Sequence, residues 1–199
     1  MKRVAALIAL SVCAAALAQT ATVVRIRGNV ESLEGNMLTV KARNGERMKV
    51  HLAEHAVVMG ITKGSVSDVQ TGKFVGTTTV GERDGALVAL EIHIFPENMR
   101  GTGEGHRDWD LRPNSKMTNA NVAEIKNMGD GRVMTVQYKG GEKQVLVTPR
   151  TSVVSYEPAS RSDLKPGTGV FINNAERQAD GTFTAPRVNV GLKGQIPPM

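Results

Sequence analysis

Two kinds of hydrophobic rhythm run along this chain. The first is a short uncharged run, Val4 to Ala18, behind Lys2 and Arg3. The second is an alternation of apolar and polar residues that fills most of the remainder. Leu38, Val40 and Ala42 alternate with polar neighbours, Asn44-Gly45 follows, and Met48, Val50 and Leu52 alternate again. A period of two predicts strands with one buried face, and Asn-Gly between two such runs predicts a hairpin. Later the pattern returns around Gly140-Gly141, followed by Val145, Leu146 and Val147. Val88, Leu90, Ile92 and Ile94 are expected to form one face of a further strand. The segment from Phe183 to Val190 takes the same place later, with Pro186 marking an edge or a bulge.

These patterns recur at a constant offset. "NMLTVKARNGERMKV" at 36–50 matches "RVMTVQYKGGEKQVL" at 132–146, with Thr39 over Thr135, Gly45 over Gly141 and Glu46 over Glu142. Residues 66–76 match 161–171, setting Asp68 over Asp163 and Gly72 over Gly167, and 83–93 match 179–189. Three blocks at an offset of 95 or 96 predict a duplicated unit. Ser67-Asp68 and Ser162-Asp163 each precede a glycine turn and are read as caps of a single helical turn rather than as paired acidic sites. Five or so short strands with one helical turn per copy point to a small closed barrel. The expected organisation is all-β: an export signal over 1–18, an OB-like β-barrel over 22–95, an ordered Gly-rich interdomain loop over 96–117, a second OB-like barrel over 118–193, and a tail over 194–199.

The residues assembled so far, glycine-x-valine, Leu-Thr-Val, Asn-Gly, Ser162-Asp163-Leu164-Lys165-Pro166-Gly167 and Asp-Gly, resemble a bacterial domain family of unknown function. That family is common in secreted proteins, and the resemblance implies small OB-like barrels in two tandem copies. The second copy keeps the pattern better, since Gln70-Thr71 replaces Lys-Pro in the first. The motif consists of turn and core residues, so the resemblance transfers no catalytic residue.

Composition narrows the function. A positive start, a short Ala-rich apolar run and Ala16-Leu17-Ala18 have the order of a secretory signal peptide cleaved near Ala18. The run is shorter than the roughly 20 residues of a membrane span, and retention as an anchor is the less favoured alternative. The expected location is periplasmic or secreted. Cleavage would remove Cys13, the sole cysteine, so disulfides, thiolate metal sites and a cysteine nucleophile are not expected. Without Lys2 and Arg3 the chain carries 23 basic against 19 acidic residues, scattered as on a solvated surface. With an exported chain and only seven aromatic residues to stack on, nucleic acid is an unlikely partner.

Candidate chemistry concentrates in "PENMRGTGEGHRDWDL", residues 96–111, which neither copy matches. Its G-x-G-x-G spacing is not a dinucleotide fingerprint, because no β-α unit follows. Trp109, the sole tryptophan, is expected to pin the segment to a barrel surface. The expected ligand site is Arg100, Glu104, His106, Arg107, Asp108, Trp109 and Asp110, in a groove between the two barrels. A divalent metal is the one cofactor these residues suggest, held by His106, Asp108 and Asp110 with Glu104 as a fourth donor. The segment is also similar to one in proteins labelled metal-transport permeases, but no further membrane span follows here. His51 and His55 do not form an HExxH motif, and His93, opposite Ile92 and Ile94, is expected to face solvent or the partner barrel. No G-x-S-x-G elbow occurs, so the expected activity is non-covalent recognition of an envelope ligand, polymer or protein rather than catalysis. A purely structural, scaffolding role is the alternative.

Overall fold

The structure is a computed structural model that describes residues 22–129 and 131–198. The expected export signal lies outside the described residues. Those residues are all-β, with twelve strands, three 3₁₀ turns and no α-helix, so none holds a helix long and apolar enough to cross a membrane. The strands are β1 (Val23–Glu34), β2 (Met37–Ala42), β3 (Arg47–Lys63), β4 (Phe74–Arg83), β5 (Ala86–Ile94) and β6 (Gly105–Asp108). They continue as β7 (Ser115–Met128), β8 (Gly131–Tyr138), β9 (Gly141–Val147), β10 (Ser152–Pro158), β11 (Gly169–Arg177) and β12 (Phe183–Gly191).

The pairing order differs from the contiguous barrels that the sequence suggests. Strands β1, β2 and β3 form an antiparallel meander, but β12 and β11 close the ring by pairing β12 with β3 and β11 with β1. This closed five-stranded barrel therefore takes three strands from the beginning of the described chain and two from its end. A second ring runs β7-β8-β9 and returns through β5 and β4; its closing contact is parallel, Leu87 to Val145 and Val88 to Leu146. The core follows the exchange. Leu164 packs among Ile26, Leu38, Val50 and Val188 in the first barrel, while Val69 packs among Ile92, Ala120, Met134 and Val145 in the second ring.

The two halves cross where the end of β3 meets β10, an antiparallel pair running from Pro158 opposite Met59 to Val154 opposite Lys63. A barrel completed by distant strands needs long-range pairing, whose entropy must be offset by burial once the ring closes. Residues such as Leu38, Val40, Leu52 and Ile172 have no exposed surface and supply that burial.

Local details follow the sequence to different extents. The expected caps are present in part: Ser65 and Ser160, not Ser67 and Ser162, are the N-caps, and Asp68 and Asp163 reach back to accept from their N–H groups at 2.7 and 2.9 Å. Pro186 is exposed at a register shift between β12 and β3, a bulge that spares the ladder its missing N–H. The first hairpin turns through four residues rather than two, with Gly45 in the left-handed region at φ 87°; the second turns at Lys139-Gly140, one residue before the expected pair. In β5 the core face is Ala89, Ile92 and Ile94, not the even series from Val88, because the β4 ladder shifts register between Thr78 and Thr79. The matched 3₁₀ turns, Val66–Asp68 and Arg161–Asp163, keep the offset of the sequence blocks.

Candidate functional site

Alternation along three strands sends polar residues into the space between the rings. Because Ile92 and Ile94 face the second ring's core, Glu91 and His93 point the other way. On β12, Val188 and Val190 fill the first barrel and Asn189 projects outward. On β7, Ala120 and Val122 face inward, leaving Met117 and Asn119 outward. Their outward faces meet across a cavity of about 570 Å³, within the size range of small-molecule sites.

The cavity wall is aromatic. Phe95 stacks on Tyr156 with centroids 5.2 Å apart, His93 meets Phe95 edge-on at 5.1 Å, and Trp109 meets Phe171 edge-on at 6.4 Å. Gly76, opposite His93 on β4, makes room for the imidazole: a Cβ there would run into His93 Nε2 and Asn119 Oδ1. Exposed Asn173, Asn174, Pro186 and Arg187 form the mouth.

Several buried polar atoms lining this space have no hydrogen-bond partner within the protein. Asn119 donates from Nδ2 to the Thr102 carbonyl at 2.9 Å, which fixes Oδ1 as the unpaired acceptor. Asn189 Oδ1 is a second unpaired acceptor, and Trp109 Nε1 an unpaired donor. His93 Nδ1 stands 3.5 Å from Glu91 Oε1, outside good hydrogen-bond geometry, with both side chains 2 % exposed. Burial and the nearby Glu91 carboxylate push the Tyr156 hydroxyl well above its ordinary value, so it remains protonated at neutral pH. Unpaired polar atoms in a buried site cost about 1–3 kcal/mol each, so their concentration at one cavity calls for partners.

The segment expected to form the site is placed mostly elsewhere. Only Arg107 and Trp109 of its seven candidates line the cavity. Arg100 binds Glu97, Asn121 and the Gly72 carbonyl; Glu104 accepts from the Lys139 N–H at 2.9 Å. His106 contacts Thr118 Oγ1 at 2.8 Å, and burial followed by the Lys143 and Lys116 charges holds its imidazole below the ordinary 6.5. Asp108 pairs with Lys116, and Asp110 with Arg27 at 2.7 Å and Arg25 at 3.5 Å. The expected metal set of His106, Asp108 and Asp110 therefore does not converge. The two carboxylates are committed to cations, and among the described residues no three metal-ligating side chains gather. What the segment does is bridge: β6 pairs with β7, while Trp109 packs on Ile61 and Phe171 beneath Arg25, 4.0 Å from its ring. The serine at 115 pins the return, donating to the Trp109 carbonyl at 3.0 Å.

Arg107 reaches back from β6, donating to the Gly103 carbonyl at 2.6 Å and lying 5.7 Å from the Trp109 ring. Burial, and then the charge of Arg25, disfavour its cation. His93 is neither solvent-facing nor a mere core residue; it faces the other ring across the cavity. Glu91, Asn119, Asn189 and Tyr156 escape notice in the sequence, although Glu-Ile-His-Ile-Phe at 91–95 does show polar residues opposite a core face. No family model matches the chain, and neither a curated protein nor a solved structure matches it.

Proposed function

We propose that this is an exported envelope protein that binds a small ligand, without transforming it, in the cavity between two OB-like barrels. The observation that carries the reading is the set of buried, unpartnered polar atoms on Asn119, Asn189 and Trp109 inside an aromatic-walled cavity. Such a lining, apolar with a few convergent polar groups, is the usual composition of a ligand site. The constant sequence offset supports a duplicated unit, and the strand orders β1-β2-β3-β12-β11 and β7-β8-β9-β5-β4 fit two OB-like rings that have exchanged their last two strands. In this reading the 96–117 segment serves as a strap that holds the rings at the spacing the cavity needs.

A mixed panel of small molecules, screened by ligand-observed NMR, tests this. Binding is expected for wild type and is expected to disappear in Asn174→Phe, where a bulky side chain stands in the exposed mouth. Binders that persist unchanged in that variant, or a panel with no binder, would count against the cavity.

A further inference from the structure

Resting on the cavity reading, we infer that the ligand is a small hydroxylated anion of the acidic-sugar class. Its hydroxyls would meet the buried amides with Arg107 beside Asn119, and its carboxylate Arg187 at the exposed mouth.

Three observations select that chemistry. First, the cavity lining holds His55, His93, Arg107 and Arg187 and no aspartate or glutamate, the nearby Glu91 lying 3.5 Å from the His93 ring rather than in the lining itself. Neither Arg107 nor Arg187 has a carboxylate within ion-pair distance among the described residues, whereas Arg25, Arg27, Arg100 and Lys116 nearby are all paired. A guanidinium is built to grip a carboxylate through two parallel hydrogen bonds. Second, the buried lining presents unpaired acceptors, the Oδ1 atoms of Asn119 and Asn189, and an unpaired donor, Trp109 Nε1. A plain hydrocarbon acid would leave all three unsatisfied, while a ring bearing hydroxyl groups supplies both donors and acceptors. Third, the walls are flat: Trp109, Phe95 and Tyr156 offer aromatic surface against which the C–H faces of a saturated ring can pack. Charge alone would suit any anion, and aromatic walls alone any apolar ring; the joint demand is for a ring with hydroxyls at one end and a negative group at the other.

Trp109 is the only tryptophan and lies in the cavity wall, so its emission reports occupancy directly. The test titrates the full chain with D-glucuronate, D-glucose and cyclohexanecarboxylate, which separate the acid from the hydroxyls. Saturable change with glucuronate is expected at concentrations at least tenfold below those needed for either control. Arg187→Gln, at an exposed position, should bring glucuronate to the level of glucose while leaving the thermal midpoint unchanged. A glucuronate-terminated disaccharide distinguishes a free sugar acid from the end of a polymer: equal or tighter binding indicates the polymer end, weaker binding the free acid. Glucose binding as tightly as glucuronate overturns the anionic assignment, and cyclohexanecarboxylate doing so overturns the hydroxylated one. Should none of the probes bind while Asn174→Phe still abolishes binders from the mixed panel, the ligand class is wrong and the cavity stands. If neither experiment yields a cavity binder, both readings fall.

Discussion

The interiors of the two rings and the junction between them are made of different materials. Inside the rings the packing is aliphatic: Val40, Val50, Leu52 and Ile172 on one side, Val75, Ile92, Val122 and Val136 on the other. Five of the seven aromatic residues, Phe74, Phe95, Trp109, Tyr156 and Phe171, instead gather at the junction. There they meet buried Glu91, His93, Asn119 and Asn189. Burying β-branched residues on strand faces gives the rings stability at little cost in specificity. Burying amides and a carboxylate–imidazole pair costs stability, and a fold retains such groups where they serve recognition. Under the proposed function, the difference separates the part of the molecule that folds from the part that recognises.

Substitutions can press on each side of that contrast. Leu52→Ala, at a fully buried position of the first barrel, should cost about 4 kcal/mol by the usual measure of a core truncation. Chemical denaturation should show that loss, and the surviving folded fraction should bind the same ligands as wild type. Trp109→Ala should cost less, about 3 kcal/mol, because one side of the ring borders a cavity rather than close-packed core. It should nevertheless abolish ligand binding by ligand-observed NMR. Equal losses of binding from both variants would erase the distinction between core and junction.

Gly76→Ala probes the junction from the opposite direction, by filling rather than emptying. The new methyl would have to displace the His93 ring or the Asn119 amide, and overpacking of this kind costs about 2 kcal/mol. Thermal melting should register it, and the His93 ring resonances should move well before those of His51, which is exposed on β3. Unmoved His93 resonances would mean that the imidazole does not occupy the space beside Gly76.

The same contrast explains what the sequence could disclose. Alternation at Leu38–Leu52 and the capped turns at Asp68 and Asp163 are local, and they read correctly. Ring closure is not local: β12 pairs with β3 rather than with β9, which lies nearer in sequence, and nothing in the alternation of β12 itself names its partner. The pattern therefore predicts the barrel without saying whose strands complete it. The site was legible only where composition was unusual. Trp109 and Arg107 stood out, whereas Asn119 and Asn189 are ordinary amides whose importance comes from being brought together by strands far apart in sequence. His106, Asp108 and Asp110 looked like ligands because an imidazole and two carboxylates stand at alternate positions of one segment, yet they are engaged by Thr118 and Lys116 on β7 and by Arg27 on β1.

The smallest effect expected is at Asp110, where the strap is tied to the first barrel. Burial raises this carboxyl's pKa, but the hydrogen bond from Arg27 and the charges of Arg27 and Arg25 outweigh it and hold the group below its ordinary 3.8. A carboxylate with a lowered folded pKa binds protons less readily than in the unfolded chain, so its contribution is present in full above 3.8 and fades as the pH falls through the lower folded value. With its side chain 47 % exposed and open to screening by salt, Asp110 should contribute only about 0.5 kcal/mol. Asp110→Asn should therefore melt slightly below wild type at pH 7, and the gap should narrow as the pH falls below 3.8 and in 1 M salt. A gap that persists at low pH would place the contribution in packing of the strap rather than in its charge, and the ion pairs with Arg27 and Arg25 would then add nothing to the hold that Trp109 already gives.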